Sequence, residues 1–309
     1  MNRCAGYVAA AVAVIGVYPG TVPAAGQALF SESAPKDPGA RSWAAERSKL
    51  PPFQSPHTPD GQPDLRGRWA GTPGGDDLEE HPYVDISSPP EESFVADPAD
   101  GKVPYQPWAL AVRAQHRAGL ARGWPGEAGR LYTDPQTYCF YSVPRATYRG
   151  GFEILQGSGY VLIAYGFGHY YRYIPTDGRP HAVGPAVKLW MGHSRGTWDG
   201  NTLVVDVTNV NGRNWLDQVG NFFSDRAHVV ERFTLASANI IDYQVTIDDP
   251  SVFTRPWTIR LPIRRAGAGD PRDRYRDETW ENACHEGNQS GDDARKLGFK
   301  WFSGVVSPR

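Results

Sequence analysis

The stretch His228–Ile247, HVVERFTLASANIIDYQVTI, decides the fold. From Val229 to Leu235 and again from Ile240 to Ile247, apolar side chains recur at every second residue, with Glu231 the exception. A period of two sends successive side chains to opposite faces of a strand. The small residues Ala236–Asn239 join the two runs, so the stretch reads as a β-hairpin.

The same grammar extends in both directions. Phe152–Leu155 and Tyr160–Phe167 flank the turn Gly157-Ser158-Gly159, and His169–Ile174 leads to a turn at Asp177-Gly178. Val187–Met191 reads as a strand, and Asp199-Gly200-Asn201 turns the chain into Thr202–Val207. Trp257–Ile263 follows the central hairpin. Short strands in succession without intervening helices make an antiparallel meander. Such a meander hides its edges by closing into a barrel or packing as a sandwich. The expectation is a mostly-β, lipocalin-like barrel, with a β-sandwich as the alternative.

Outside the strands, Trp108, Val112 and His116 recur at a spacing of four among good helix formers, which predicts a helix over 105–120. Residues 29–63 are rich in Pro, Ser and charge and read as an extended arm. The barrel domain is expected over 64–309, with Asp64–Ala70 its first strand and Gly71–Pro104 a loop.

Residues 1–28 read as a signal peptide: Arg3, an apolar run from Tyr7 to Val17, then small residues Ala24, Ala25, Gly26 and Ala28. The run falls short of the roughly 20 residues a bilayer span needs. The expected location is therefore periplasmic or secreted, with no transmembrane anchor. Formal net charge is -2 and no basic block exists, which argues against a nucleic-acid partner. Once the signal peptide and Cys4 are removed, Cys139 and Cys284 remain. In an oxidising compartment an even pair is most simply a disulfide; two free thiols or a catalytic cysteine are the alternatives.

Six segments together resemble an uncharacterised family of exported bacterial proteins. They are TPDGQPDLRGRW (Thr58–Trp69), TDGRPH (Thr176–His181), GHSRGTWDGNTLVVDV (Gly192–Val207), HVVERFT (His228–Thr234), TIDDPSVFTRPWT (Thr246–Thr258) and ENACHEGN (Glu281–Asn288). The resemblance spans most of the chain up to Asn288. It implies export, and it implies a disulfide, because Cys139 and Cys284 fall at the family's cysteine positions. It carries no catalytic residues over.

Candidate chemistry therefore comes from the residues. Glu231 shares a strand face with Val229, Phe233 and Leu235, where a carboxylate must be paired or neutral. Burial would suit it to proton transfer; the bland reading is a buried salt bridge, for example to Arg172 or Arg145. If Val161–Tyr173 is one continuous or gently bent run, Val161, Ile163, Tyr165, Phe167, His169, Tyr171 and Tyr173 share one wall of a pocket for an aromatic ligand. The catalytic candidates are Glu231, His169, Tyr243, Tyr171 and His193. The ligand-binding candidates are Tyr165, Tyr173, Arg172, Trp190, Trp198 and Asp206. Gly192–Gly196 matches G-x-S-x-G, but no helix follows it, so Ser194 is not expected to sit on a nucleophile elbow. No tight histidine spacing predicts a metal, and no glycine-rich phosphate loop predicts a nucleotide. The expected function is cofactor-free acid–base chemistry (lyase, isomerase, cyclase or hydratase) on a hydrophobic or aromatic small molecule. A non-catalytic binding protein and a structural envelope protein are the alternatives.

Overall fold

The computed structural model describes residues 39–71, 77–80, 91–117, 132–267, 283–296, 298–302 and 304. The signal-peptide reading of 1–28 and the start of the arm lie outside the described residues. The strands are β1 (Gly67–Ala70), β2 (Val95–Asp97), β3 (Tyr132–Thr133), β4 (Phe152–Gly157), β5 (Tyr160–Tyr165) and β6 (Tyr171–Pro175). They continue with β7 (His193–Asp199), β8 (Thr202–Thr208), β9 (His228–Ser237), β10 (Ile240–Asp248), β11 (Trp257–Arg265) and β12 (Lys300–Trp301).

Ten strands form one sheet, a nearly closed antiparallel barrel. With β2 set aside on the edge of β11, the other nine follow chain order around the ring. All the ladders on this ring are antiparallel. An odd number of alternating strands cannot close without one parallel pair of neighbours. That pair is β6 and β7, the two ends of the hydrogen-bonded path. Parallel neighbours need a crossover of a dozen or more residues, and 176–192 is that crossover.

Side chains close this seam in place of a backbone ladder. Arg172 Nη2 donates to Ser194 Oγ at 3.0 Å. Two positions further along each strand, a Cβ on Gly196 would sit 3.0 Å from Ile174 and 2.8 Å from Thr176. Only a glycine lets the strands approach this closely.

The barrel interior is filled. Phe152, Ile154, Val161, Ile163, Leu203, Val205, Val207, Phe233, Val245, Ile259 and Leu261 are all buried, each from the inward parity of its strand. Burying each such side chain contributes on the order of 1.5–3 kcal/mol relative to leaving it in water.

Three sequence expectations meet a different structure. Val187–Met191 is no strand: its one ladder contact is the isolated bridge Leu189↔Val210. It lies within the crossover, where the Asn209 side chain donates to the carbonyls of Gly184 and Val187 and so takes over what a strand partner would do. The expected extended arm contains helix α1 (Ala40–Lys49). Composition hid its anchor, Trp43, which is buried and donates through Nε1 to Asp242 Oδ1 at 2.9 Å. The expected loop Gly71–Pro104 holds β2, paired with β11.

The expected helix is present as α2 (Pro107–Arg117), with Pro in the first turn, where its missing N–H costs nothing; residues 118–120 lie outside the described residues. Among the described residues there are also two short α-helices, α3 (Arg145–Arg149) and α4 (Ser290–Lys296), and a 3-10 turn at Pro135–Tyr138. Cys139 and Cys284 are joined in a disulfide, with Cα atoms 5.8 Å apart. No helix among the described residues is long and apolar enough to cross a membrane.

Candidate functional site

The candidate residues separate into two groups on opposite sides of the barrel wall. Inside, Glu231 is fully buried, as its strand parity predicts. Arg172 Nη2 donates to its Oε2 at 2.6 Å, while Tyr243 and Thr147 donate to Oε1 at 2.7 and 3.2 Å. Arg172 Nη1 also donates to the Tyr165 hydroxyl, which lies 3.0 Å from Thr147 Oγ1. A closed ring of hydrogen bonds results: Arg172 to Tyr165, Tyr165 to Thr147, Thr147 to Glu231, and Glu231 back to Arg172. Burial would lower the Arg172 pKa, but Glu231 and Tyr165 beside it hold it above the usual value. Burial and the adjacent Glu231 carboxylate push the Tyr243 hydroxyl well above its usual value. A carboxylate with a buried arginine and two hydroxyls is satisfied where it stands. The inner group can hold the barrel together, packed among the buried side chains of the barrel interior. Ser194 belongs to this group and faces inward, 6 % exposed, with no strand-to-helix turn around it.

The wall of aromatics does not form as one face. Between β5 and β6 the chain turns through Gly168 (φ 67°) and His169 (φ 56°), left-handed conformations that reverse it within five residues. Ala164 then pairs with Tyr171, and the parity resets. Tyr165 and Arg172 point inward, while Tyr171 and Tyr173 point outward, 69 % and 50 % exposed. His169 sits exposed in the turn and is not among the hydrogen-bond partners of Glu231. Trp190 also lies outside the barrel, stacked on Phe140 at 4.2 Å between centroids. Trp198, partly buried, packs against the core from β7. A small cleft with no room for a water-sized molecule lies against Tyr141, Tyr165, Phe167 and Tyr170.

Outside, three adjacent strands and the crossover assemble a second polar group. His193 on β7, Thr208 and Asp206 on β8 and His228 on β9 all have outward parity, and His193 pairs directly with Thr208. His181, from the crossover, lies over them. Its Nε2 is 2.7 Å from Asp206 Oδ1 and its Nδ1 is 2.7 Å from His193 Nδ1. His228 Nε2 is 2.7 Å from Asp206 Oδ2. Asp206 can only accept, so His181 and His228 each carry a proton on Nε2. Two Nδ1 atoms in contact share one proton between them, which rests on either His181 or His193. Partial burial, then the positive charges of Arg195 and His181, lower the His193 pKa. These causes favour the neutral form of His193. His193 Nε2 has no hydrogen-bond partner among the described residues. A histidine in contact with a carboxylate-held histidine is an arrangement through which a proton can pass, with its open end at His193 Nε2.

His193 and Asp206 are expected site residues; His181, His228 and Thr208 are additions from the structure. The signal for His228 is in the sequence, because its parity is opposite to that of Glu231. His181 has no such signal, since the crossover has no period. Among the described residues, no group of three or more His, Cys, Asp or Glu side chains is arranged to hold a metal ion. Comparison with known proteins finds no matching family model, no matching curated protein and no matching solved structure.

Proposed function

We propose that this chain is an exported acid–base enzyme of the family its motifs resemble, acting without a cofactor on a small aromatic molecule at the outer face of its barrel. The disulfide and the N-terminal leader pattern support export. The observation that carries the chemistry is the chain of contacts His193–His181–Asp206–His228. In the resting state His193 holds its proton on Nδ1 and offers Nε2 as a base. Nε2 takes a proton from the substrate, the Nδ1 proton passes to His181 Nδ1, and Asp206 stabilises the resulting imidazolium. The return path delivers the proton to another atom of the substrate, which suits isomerase and lyase chemistry.

A mass-spectrometric screen of small molecules converted by the purified protein tests this reading. Conversion lost in His193→Ala, with the fold retained, supports it; conversion equal to wild type in that variant contradicts it. The filled interior favours a second reading, a structural envelope protein in which the histidines only pin the crossover. Under that reading the screen finds no conversion by the wild type.

A further inference from the structure

We infer that the relay's substrate is an aromatic anion, anchored by Arg195 and stacked on the outward tyrosines of β6. This rests on the proposed function and names its substrate class. The Arg172–Ser194 and Ile174/Gly196 contacts fix the parallel register of the seam. In that register Tyr171 lies level with His193, and Tyr173 level with Arg195, all with outward parity. Tyr173 and Tyr160 place their ring centroids 5.3 Å apart, and all three tyrosines are at least 36 % exposed. Leu155 and Leu162 continue this face in the same row as Tyr173. The apolar strip thus runs up to the open end of the relay.

The charge beside the strip is unbalanced. Arg195 pairs in register with Asp206, yet both oxygens of Asp206 are taken by histidines. The guanidinium instead donates from Nε to the Pro180 carbonyl and from Nη1 to the Ser194 carbonyl, at 3.0 Å each. Two neutral acceptors orient the group without neutralising it, and among the described residues its Nη2 has no hydrogen-bond acceptor. One arginine and one aspartate balance formally in this patch and the three histidines add no negative charge, so it carries no net negative charge. An arginine held by carbonyls beside exposed tyrosine rings suits a carboxylate or phosphate on a planar ring. The ring stacks on Tyr173, the anion meets Arg195, and the atom between them faces His193 Nε2.

The probes are benzoate and phenyl phosphate, with benzyl alcohol as the neutral control, followed by tyrosine and histidine NMR shifts of the full chain. Saturable shifts at Tyr173 and His193 with either anion, and none with benzyl alcohol, support the inference. Arg195→Gln should weaken anion binding roughly fivefold, the scale of a partly exposed ion pair, and Arg195→Lys should restore part of it. Which anion binds more tightly identifies carboxylate or phosphate as the headgroup. Equal binding of benzoate and benzyl alcohol, or anion binding unchanged in Arg195→Gln, overturns the inference. If the conversion screen yields only neutral substrates that depend on His193, the anion anchor fails while the proton-transfer reading stands.

Discussion

Strand β9 carries Glu231 and His228 three residues apart, and the barrel wall separates them. Glu231 is sealed with Arg172 inside a filled core, whereas His228 shares Asp206 with His181 at the surface. Both groups are hydrogen-bonded networks around one carboxylate. They differ in what the carboxylate is bound to. Inside, the partner is an arginine, which does not give up its proton. Outside, the partners are histidines, whose rings can both donate and accept a proton. The inner network is suited to holding strands in register and the outer one to moving protons.

Removing one half of the inner pair should have the largest effect. Glu231→Ala leaves Arg172 buried and unpaired and should cost roughly 3–5 kcal/mol in denaturant unfolding. A loss below about 1 kcal/mol would mean that the pair is not sealed. Replacing both partners, Arg172→Met with Glu231→Leu, should recover most of that loss, because no charge is then left behind. A double variant as unstable as Glu231→Ala would show that the ring through Tyr165 and Thr147 matters more than the ion pair.

The outer group should respond in the opposite way. His228→Ala and Asp206→Asn should each change stability by about 1 kcal/mol or less, as befits exposed pairs. A larger loss would make the relay a structural clamp on the crossover. The smallest effect is a pH dependence. The His193 pKa lies below the usual 6.5 because of partial burial, Arg195 and His181. The native state therefore takes up this proton less readily than the unfolded chain. Its contribution to stability is complete above 6.5 and is lost as the pH falls through the lower folded value. Histidine NMR titration should show His193 titrating below a free histidine, and Arg195→Gln should raise its midpoint. A His193 midpoint at or above 6.5 would contradict the charge arrangement.

Much of this architecture is legible in the sequence because strand period is a local property. The central hairpin, the turns at Gly157-Ser158-Gly159 and Asp199-Gly200-Asn201, and the inward parity of Glu231 all follow from it. What escapes is whatever depends on one backbone reversal or on a distant contact. A left-handed turn at Gly168 and His169 reverses the expected face of Tyr171 and Tyr173. The crossover brings His181 to Asp206 over 25 residues of sequence, with no periodicity to announce it. Helix α1 rests on a single tryptophan in a segment whose composition reads as an arm. Strand period alone does not choose between barrel and sandwich, because the parallel seam at β6 and β7 emerges only once the strands are counted around the ring.

The central claim is that proton transfer belongs to the outer face of the barrel and not to its core. Its most direct measurement sets Glu231→Gln against His193→Ala in the same conversion screen, with both proteins shown to be folded by circular dichroism. Glu231→Gln should convert substrate within a few-fold of wild type, and His193→Ala should lose a factor on the order of 10²–10⁴, the usual contribution of a positioned acid or base. The reverse pattern, with conversion lost in Glu231→Gln and kept in His193→Ala, would return the chemistry to the buried carboxylate and contradict the account.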